Sequence, residues 1–187
     1  RTANQLALLY LDINHFKHIN TSCGRETGDL ILKEMAKRLQ VAVRDSDLVT
    51  RYGGDSFIIL LDLTSDKQAI YGVVERIQQM IECPYKVELN KTINCTCAIG
   101  ISYFPEAFEL ELLIKQAEHA VYEAKANPTS SICFYTEQIG ENFNRRRQVA
   151  ASIEHAIEKD EFDVYFQPVL SLPNNKFVSV EAFLRWQ

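Results

Sequence analysis

The chain has no run of ~18 consecutive apolar residues, the length a helix needs to cross a bilayer. It also has no basic, apolar and small-residue succession of the secretory type. A cytoplasmic location without a membrane segment is therefore expected, and any membrane attachment is left to segments upstream. A disulfide framework is missing as well: five cysteines, an odd number at irregular spacing, point to reduced thiols. Cys95 and Cys97 lie two apart on a predicted strand and share a face, which is not the spacing of a zinc site. Positive charge is in deficit, with 20 Lys and Arg against 25 Asp and Glu, so the net charge of −5 gives no support to a nucleic-acid polymer as partner. An anionic ligand would need a local device such as a metal ion or a helix N-terminus. An initiating methionine is absent too, and a chain starting at Arg1 reads as a fragment. What is present is 47 % hydrophobic and 24 % charged over 187 residues, enough for one domain, or for one domain and the start of another.

The chain is organised around Arg51 to Leu61, RYGGDSFIILL. Two β-favouring runs joined across Gly53-Gly54-Asp55-Ser56 predict a hairpin, because glycine reaches positive φ without steric cost. Taken alone, that stretch is a bare hairpin. A second apolar run, Leu6 to Leu11, also ends in a carboxylate, Asp12, and its unbroken apolar character predicts a strand covered on both faces. A short helix at His15 to Asn20 follows, with Gly24 and Gly28 breaking the chain. Leu32, Met35, Ala36, Leu39 and Val43 then recur at helical spacing, with Lys33, Glu34, Lys37 and Arg38 outside. A second helix is predicted from Ser65, a candidate N-cap, to Glu82. Strands follow at Tyr85 to Leu89 and Thr92 to Tyr103, turning at Asn90-Lys91. A third helix runs from Leu110 to Ala126 and stops at Pro128, and Ser131 to Tyr135 is a closing strand. This order predicts an α/β (α+β) sandwich of the ferredoxin-like, palm-type kind, helices packed on a mixed sheet. In such a sheet Asp12 and Asp55 meet across neighbouring strands. Paired carboxylates repel unless a cation sits between them, and hard oxygen donors suit Mg²⁺, which takes one or two carboxylates plus substrate phosphates.

LLYLDINHFKHIN, then Gly24, Gly28-Asp29, and RDSD seven residues before RYGGDSF, together resemble the GGDEF family of diguanylate cyclases. The resemblance runs from Leu6 to Tyr135 and sets a domain over residues 1–135. It implies condensation of two GTP into cyclic di-GMP by a homodimer, one GTP per domain. It also implies that Asp12, Asp55 and the Ile13 carbonyl bind Mg²⁺ (or Mn²⁺), with Asp55 at the catalytic signature. Asn20 and Asp29 would read the guanine edge, and Lys17 and Lys125 would hold phosphates. Arg44 and Asp47 match the family's RxxD inhibitory motif for cyclic di-GMP, and Arg76 falls where a second arginine joins it; the planar fork of arginine pairs with phosphates and guanine edges.

The chain departs from the family pattern at several points. Ser56 stands where the signature has glutamate, and a hydroxyl is a poor base for activating a ribose 3′-OH. Pro128-Thr129 stands where Gly-Arg or Gly-Lys is usual, Thr21 replaces a common aspartate and Arg25 a common histidine. The implied activity is nucleotide binding with impaired turnover; the alternative is a working diguanylate cyclase in which Asp12 and Asp55 suffice. A third reading is an interaction domain without ligand.

Beyond Tyr135 a linker helix is predicted over 136–150, its Arg145-Arg146-Arg147 run read as a solvated face. DVYFQPVLSL and FVSVEAFLRW, within 151–187, resemble the opening of an EAL-type cyclic di-GMP phosphodiesterase domain. Gln167, Glu181 and Arg185 match its substrate, metal and phosphate positions, with Glu-Ala-Phe for Glu-Ala-Leu. That family forms a TIM-type barrel of about 250 residues, so no hydrolysis is expected from these strands alone. His15 and His18, three apart, are read as surface or packing residues, as are His119 and His155.

Overall fold

A computed structural model describes residues 5–63, 69–88, 91–104, 109–127 and 131–187. Ser65, Asn90, Pro128 and Thr129 lie outside the described residues. The elements are β1 (Gln5–Ile13), α1 (Phe16–Cys23), α2 (Arg25–Ala42), β2 (Leu48–Gly53), β3 (Ser56–Leu63), α3 (Ala69–Glu82), β4 (Tyr85–Glu88), β5 (Lys91–Ile93), β6 (Cys97–Phe104), α4 (Leu110–Ala126), β7 (Ile132–Phe134), α5 (Glu137–Glu158), β8 (Phe162–Ser171) and β9 (Lys176–Trp186). Residues 1–140 and 141–187 form two compact units.

In the first unit β1 is central because, past the exposed Gln5, it is buried without a break from Ala7 to Leu11 before it reaches Asp12. The sheet order is β2-β3-β1-β6-β7, antiparallel except for the parallel β6–β7 pair. Alternate β1 residues bury on opposite faces. Ala7, Leu9, Leu11 and Ile13 pack with Met35 and Leu39 of α2 and Ile70 and Ile77 of α3, whereas Leu8 and Tyr10 pack with Leu113, Ala117 and Val121 of α4. Helices on both faces account for the unbroken apolar run, although β1 is antiparallel to both neighbours. Gly100 fixes how closely α4 lies on β6: a Cβ there would meet the Ala117 carbonyl oxygen at 2.0 Å and the Val121 nitrogen at 2.5 Å.

Three sequence expectations need correction. Gly28 does not break the chain; it is buried inside α2, which starts at Arg25. The strand expected over Thr92 to Tyr103 is two strands in two sheets, β5 pairing with β4 and β6 with β1. The break is pinned from β1, since the Asn14 amide donates to the Thr96 carbonyl (2.9 Å) and the Asn14 Nδ2 to the Thr96 hydroxyl (3.0 Å). Cys95 sits in that break and Cys97 opens β6, both buried in one core. Arg38 is not outside: its guanidinium lies 3.9 Å over the Tyr85 ring and donates to the carbonyls of Met80 (3.1 Å), Cys83 and Pro84 (3.0 Å), closing the C-terminus of α3.

The second unit holds most of α5 and the antiparallel pair β8–β9, where a TIM-type barrel would have parallel strands. Gln167 lies opposite Glu181 and Asp163 opposite Arg185. Strand alternation then puts Gln167, Glu181 and Arg185 on one face and Val164, Phe166, Val180 and Leu184 on the other.

Candidate functional site

Register brings the acids together. Asp12 is opposite Ser56 on β3, one residue past Asp55, and opposite Ala98 on β6. The Ile13 amide donates to the Asp55 carbonyl at 3.3 Å, which ties the turn to the end of β1. Gly54 has φ +52° and Gly53 ends β2, so the turn proper is Gly54-Asp55. A Cβ at either glycine would find nothing within 4 Å, so the space before the turn is open. Arg51 braces the turn, its Nε and Nη2 donating to the Gly54 carbonyl at 3.1 and 2.6 Å.

The Asp12 carboxylate has two partners from its own chain. The Lys125 ammonium, on the last turn of α4, is 2.5 Å from Oδ1, and the Ser56 hydroxyl donates to Oδ2 at 3.4 Å. Ser56 is buried. Burial pushes the neighbouring Tyr10 hydroxyl above its usual range, and its hydrogen bond with Ser56 partly offsets this. The Tyr52 ring meets that of Tyr10 edge-on at 5.7 Å.

On the other side of the turn a cleft of about 380 Å³ is lined by Phe16, Lys17, Asn20, Arg25, Asp29, Leu32, Arg51, Gly54 and Asp55. Of the residues singled out in the sequence, Lys17, Asn20, Asp29 and Asp55 converge there, while Lys125 sits on Asp12 instead. Arg51, Phe16 and Leu32 were not singled out as site residues. The place of Asn20 depends on Gly28, where a Cβ would lie 2.0 Å from the Asn20 Oδ1 and 3.1 Å from the Phe16 Cζ. A helical glycine costs up to ~1 kcal/mol relative to alanine, and here it makes room for a polar side chain at the cleft.

Among the described residues no three His, Cys, Asp or Glu side chains converge as a metal-binding group. His18 lies 3.5 Å from the Ser22 hydroxyl instead. Two carboxylates at neighbouring register positions with open space before them still suit a hard cation that completes its shell with phosphates and water. Asp12, Asp55 and Ile13 thus fit such an ion in donor type.

The RxxD residues lie at the far end of α2. The Asp47 carboxylate accepts from the amides of Arg44 (2.9 Å) and Asp62 (3.3 Å), and the Arg76 Nε donates to the Ala42 carbonyl at 2.7 Å. Asp47 therefore holds the α2–β2 turn, while the Arg44 side chain is exposed.

A mixed sheet clad by helices on both faces, with carboxylates at a strand end and a glycine turn beside a polar cleft, defines an α/β domain with a candidate site at the end of its central strand. The family described as "Diguanylate cyclase, GGDEF domain" matches residues 1–131, and the chain belongs to that family. It is 32 % identical over 183 residues to the cyclic di-GMP phosphodiesterase NbdA of Pseudomonas aeruginosa, covering 97 % of this chain and 23 % of that protein. It is 30 % identical over 189 residues to MucR of the same organism, named a bifunctional diguanylate cyclase/cyclic di-GMP phosphodiesterase, covering 100 % and 27 %. The chain thus spans about a quarter of the length of these relatives. Among solved structures, the GGDEF domain of YfiN (TpbB) from P. aeruginosa superimposes with a TM-score of 0.70 at 32 % identity, covering 75 % of this chain and 83 % of that one.

Proposed function

We propose that this GGDEF domain binds GTP, cyclic di-GMP or both, makes cyclic di-GMP poorly if at all, and regulates an EAL-type phosphodiesterase that begins in β8–β9. The observation that carries the reading is Ser56. At the strand position opposite Asp12, where the family signature has a carboxylate, there is a buried hydroxyl hydrogen-bonded to Asp12. Condensing two GTP requires a group that takes the proton of the attacking 3′-hydroxyl. A serine hydroxyl does not do so near neutral pH, and loss of one catalytic group costs ~10²–10³ in rate. Asn20 and Asp29 supply the donor and acceptors for a guanine edge, and Lys17 and Lys125 the cations for phosphates. Mg²⁺ or Mn²⁺ would be held by Asp12, Asp55 and the Ile13 carbonyl, and would neutralise phosphate charge. Arg44, Asp47 and Arg76 are the proposed product site, with Asp47 ordering the loop that presents Arg44. Gln167, Glu181 and Arg185, on one face of β8–β9, are proposed as the first residues of the phosphodiesterase site.

A working cyclase remains the second reading, favoured by the neighbouring positions of Asp12 and Asp55. Calorimetric titration with GTP tests the site: binding is expected, and Asp29→Ala and Asn20→Ala should each weaken it by about tenfold, the loss of a hydrogen bond to the base. Equal affinity in wild type and both variants would contradict the guanine assignment. Ser56→Glu is expected to gain turnover; no gain would place the impairment elsewhere.

A further inference from the structure

Asn20 and Asp29 each have a cation one helical turn before them, Lys17 on α1 and Arg25 on α2, and all four line the cleft. The two cations are not equivalent. The chain folds back at Gly24, so that Gly28 faces Asn20 and Phe16 of the preceding helix. Arg25 therefore stands at the corner between the helices, whereas Lys17 stands at the other end of α1, where the chain enters from Asp12 and Ile13. A nucleotide with its base at Asn20 and Asp29 and its phosphates at Lys17 and the end of β1 leaves Arg25 on the side of the base away from the phosphates. Arg51, the third cation of the cleft, gives Nε and Nη2 to the Gly54 carbonyl. The Arg25 side chain is exposed and, among the described residues, is held by no hydrogen bond or ion pair.

We infer that Arg25 is a specificity residue that reads the O6 and N7 atoms of guanine. The inference rests on the cleft being a guanine-nucleotide site and adds a third contact to the base. A carboxylate accepts from the N1–H and 2-amino groups of guanine but offers nothing to O6 and N7, which are both acceptors. A guanidinium presents two N–H donors side by side in one plane, the arrangement that O6 and N7 match. A lysine in its place offers a single point charge, and adenine sets an amino group against the donors where guanine has O6. The contact is made to the base, so it is independent of any ion held by Asp12 and Asp55.

Calorimetric titration of the whole chain in Mg²⁺ with GTP and with 7-deaza-GTP tests this. The analogue carries a C–H in place of N7 and keeps the triphosphate and the Watson–Crick edge. Wild type is expected to bind it about tenfold more weakly than GTP, the loss of one charge-assisted hydrogen bond. Arg25→Ala is expected to bind GTP at least about tenfold more weakly than wild type, and to bind the two nucleotides within about twofold of each other. Arg25→Lys, which keeps the charge but not the fork, should lose the preference as well. Equal affinity of wild type for the two nucleotides would overturn the inference. So would an Arg25→Ala protein that keeps the preference for GTP, since its guanidinium would then serve only as a general cation. In both of those outcomes GTP still binds and the guanine reading stands; a wild-type chain that binds no GTP overturns the reading and the inference together.

Discussion

Gly28 ties a helix to a ligand group through a single missing carbon. Alanine is the better helix former, yet its Cβ would take the space of the Asn20 Oδ1. Gly28→Ala is therefore expected to weaken GTP binding by about tenfold while changing stability by less than ~1 kcal/mol, measured by calorimetry and urea unfolding on the same protein. A large loss of stability with unchanged binding would count against the link. Cys97 gives a pH dependence at the same scale. Burial pushes its thiol up to about 12, and nearby Glu82 adds to the rise. The unfolded thiol ionises near its ordinary value of 9.0 while the folded one stays protonated. The folded state then binds more protons, so stability is full below pH 9 and falls between about pH 9 and 12, by up to ~1.4 kcal/mol per pH unit from this group. Cys97→Ala should flatten that slope in urea titrations across the window; an unchanged slope would assign the fall to other groups. The sequence shows Asn20, Asp29 and Asp55 through their spacing. It does not show that Gly28 is an absence shaped around Asn20, because that contact joins two helices.

At the scale of elements, Arg38 illustrates what periodicity misses. Helical spacing puts it on the outer face of α2, but the α3–β4 connection folds over that face, and a long side chain reaches its carbonyls. Arg38→Ala should cost about 2 kcal/mol in urea unfolding, from a lost helix closure and cation–π contact. A cost under ~0.5 kcal/mol would mean that water replaces the guanidinium without penalty. The strand predicted over Thr92 to Tyr103 fails for a related reason. The alternation of Asn94, Cys95 and Thr96 continues the strand pattern, and it is the pairing that changes there: β5 pairs with β4, whereas Thr96, held by two hydrogen bonds from Asn14, 82 positions away, leads into the pairing of β6 with β1. The hairpin, by contrast, was legible because its signal is local: β-favouring runs on either side of glycines. Even there the turn is Gly54-Asp55, and the bracing by Arg51 appears only in three dimensions.

At the scale of the whole molecule, the mixed sheet with helices on both faces follows from element order and from the apolar β1, and the positions of Asp12 and Asp55 follow from its register. The division at residue 140 is visible in sequence only as a change of composition. The antiparallel β8–β9 pairing, which sets Gln167 opposite Glu181 and Tyr165 opposite Phe183 on one face, lies beyond what alternation in separate strands decides. The most direct test of the central claim is cyclic di-GMP formation from GTP and Mg²⁺ by the chain fused to a dimerising coiled coil, so that two loaded clefts can face each other. The same fusion carrying Ser56→Glu serves as reference. The account predicts GTP binding with turnover at least about 10²-fold below the reference. Turnover equal to that of a reference that is itself active would contradict it, and would make the buried Ser56 hydroxyl beside Asp12 a tolerated replacement in a working cyclase.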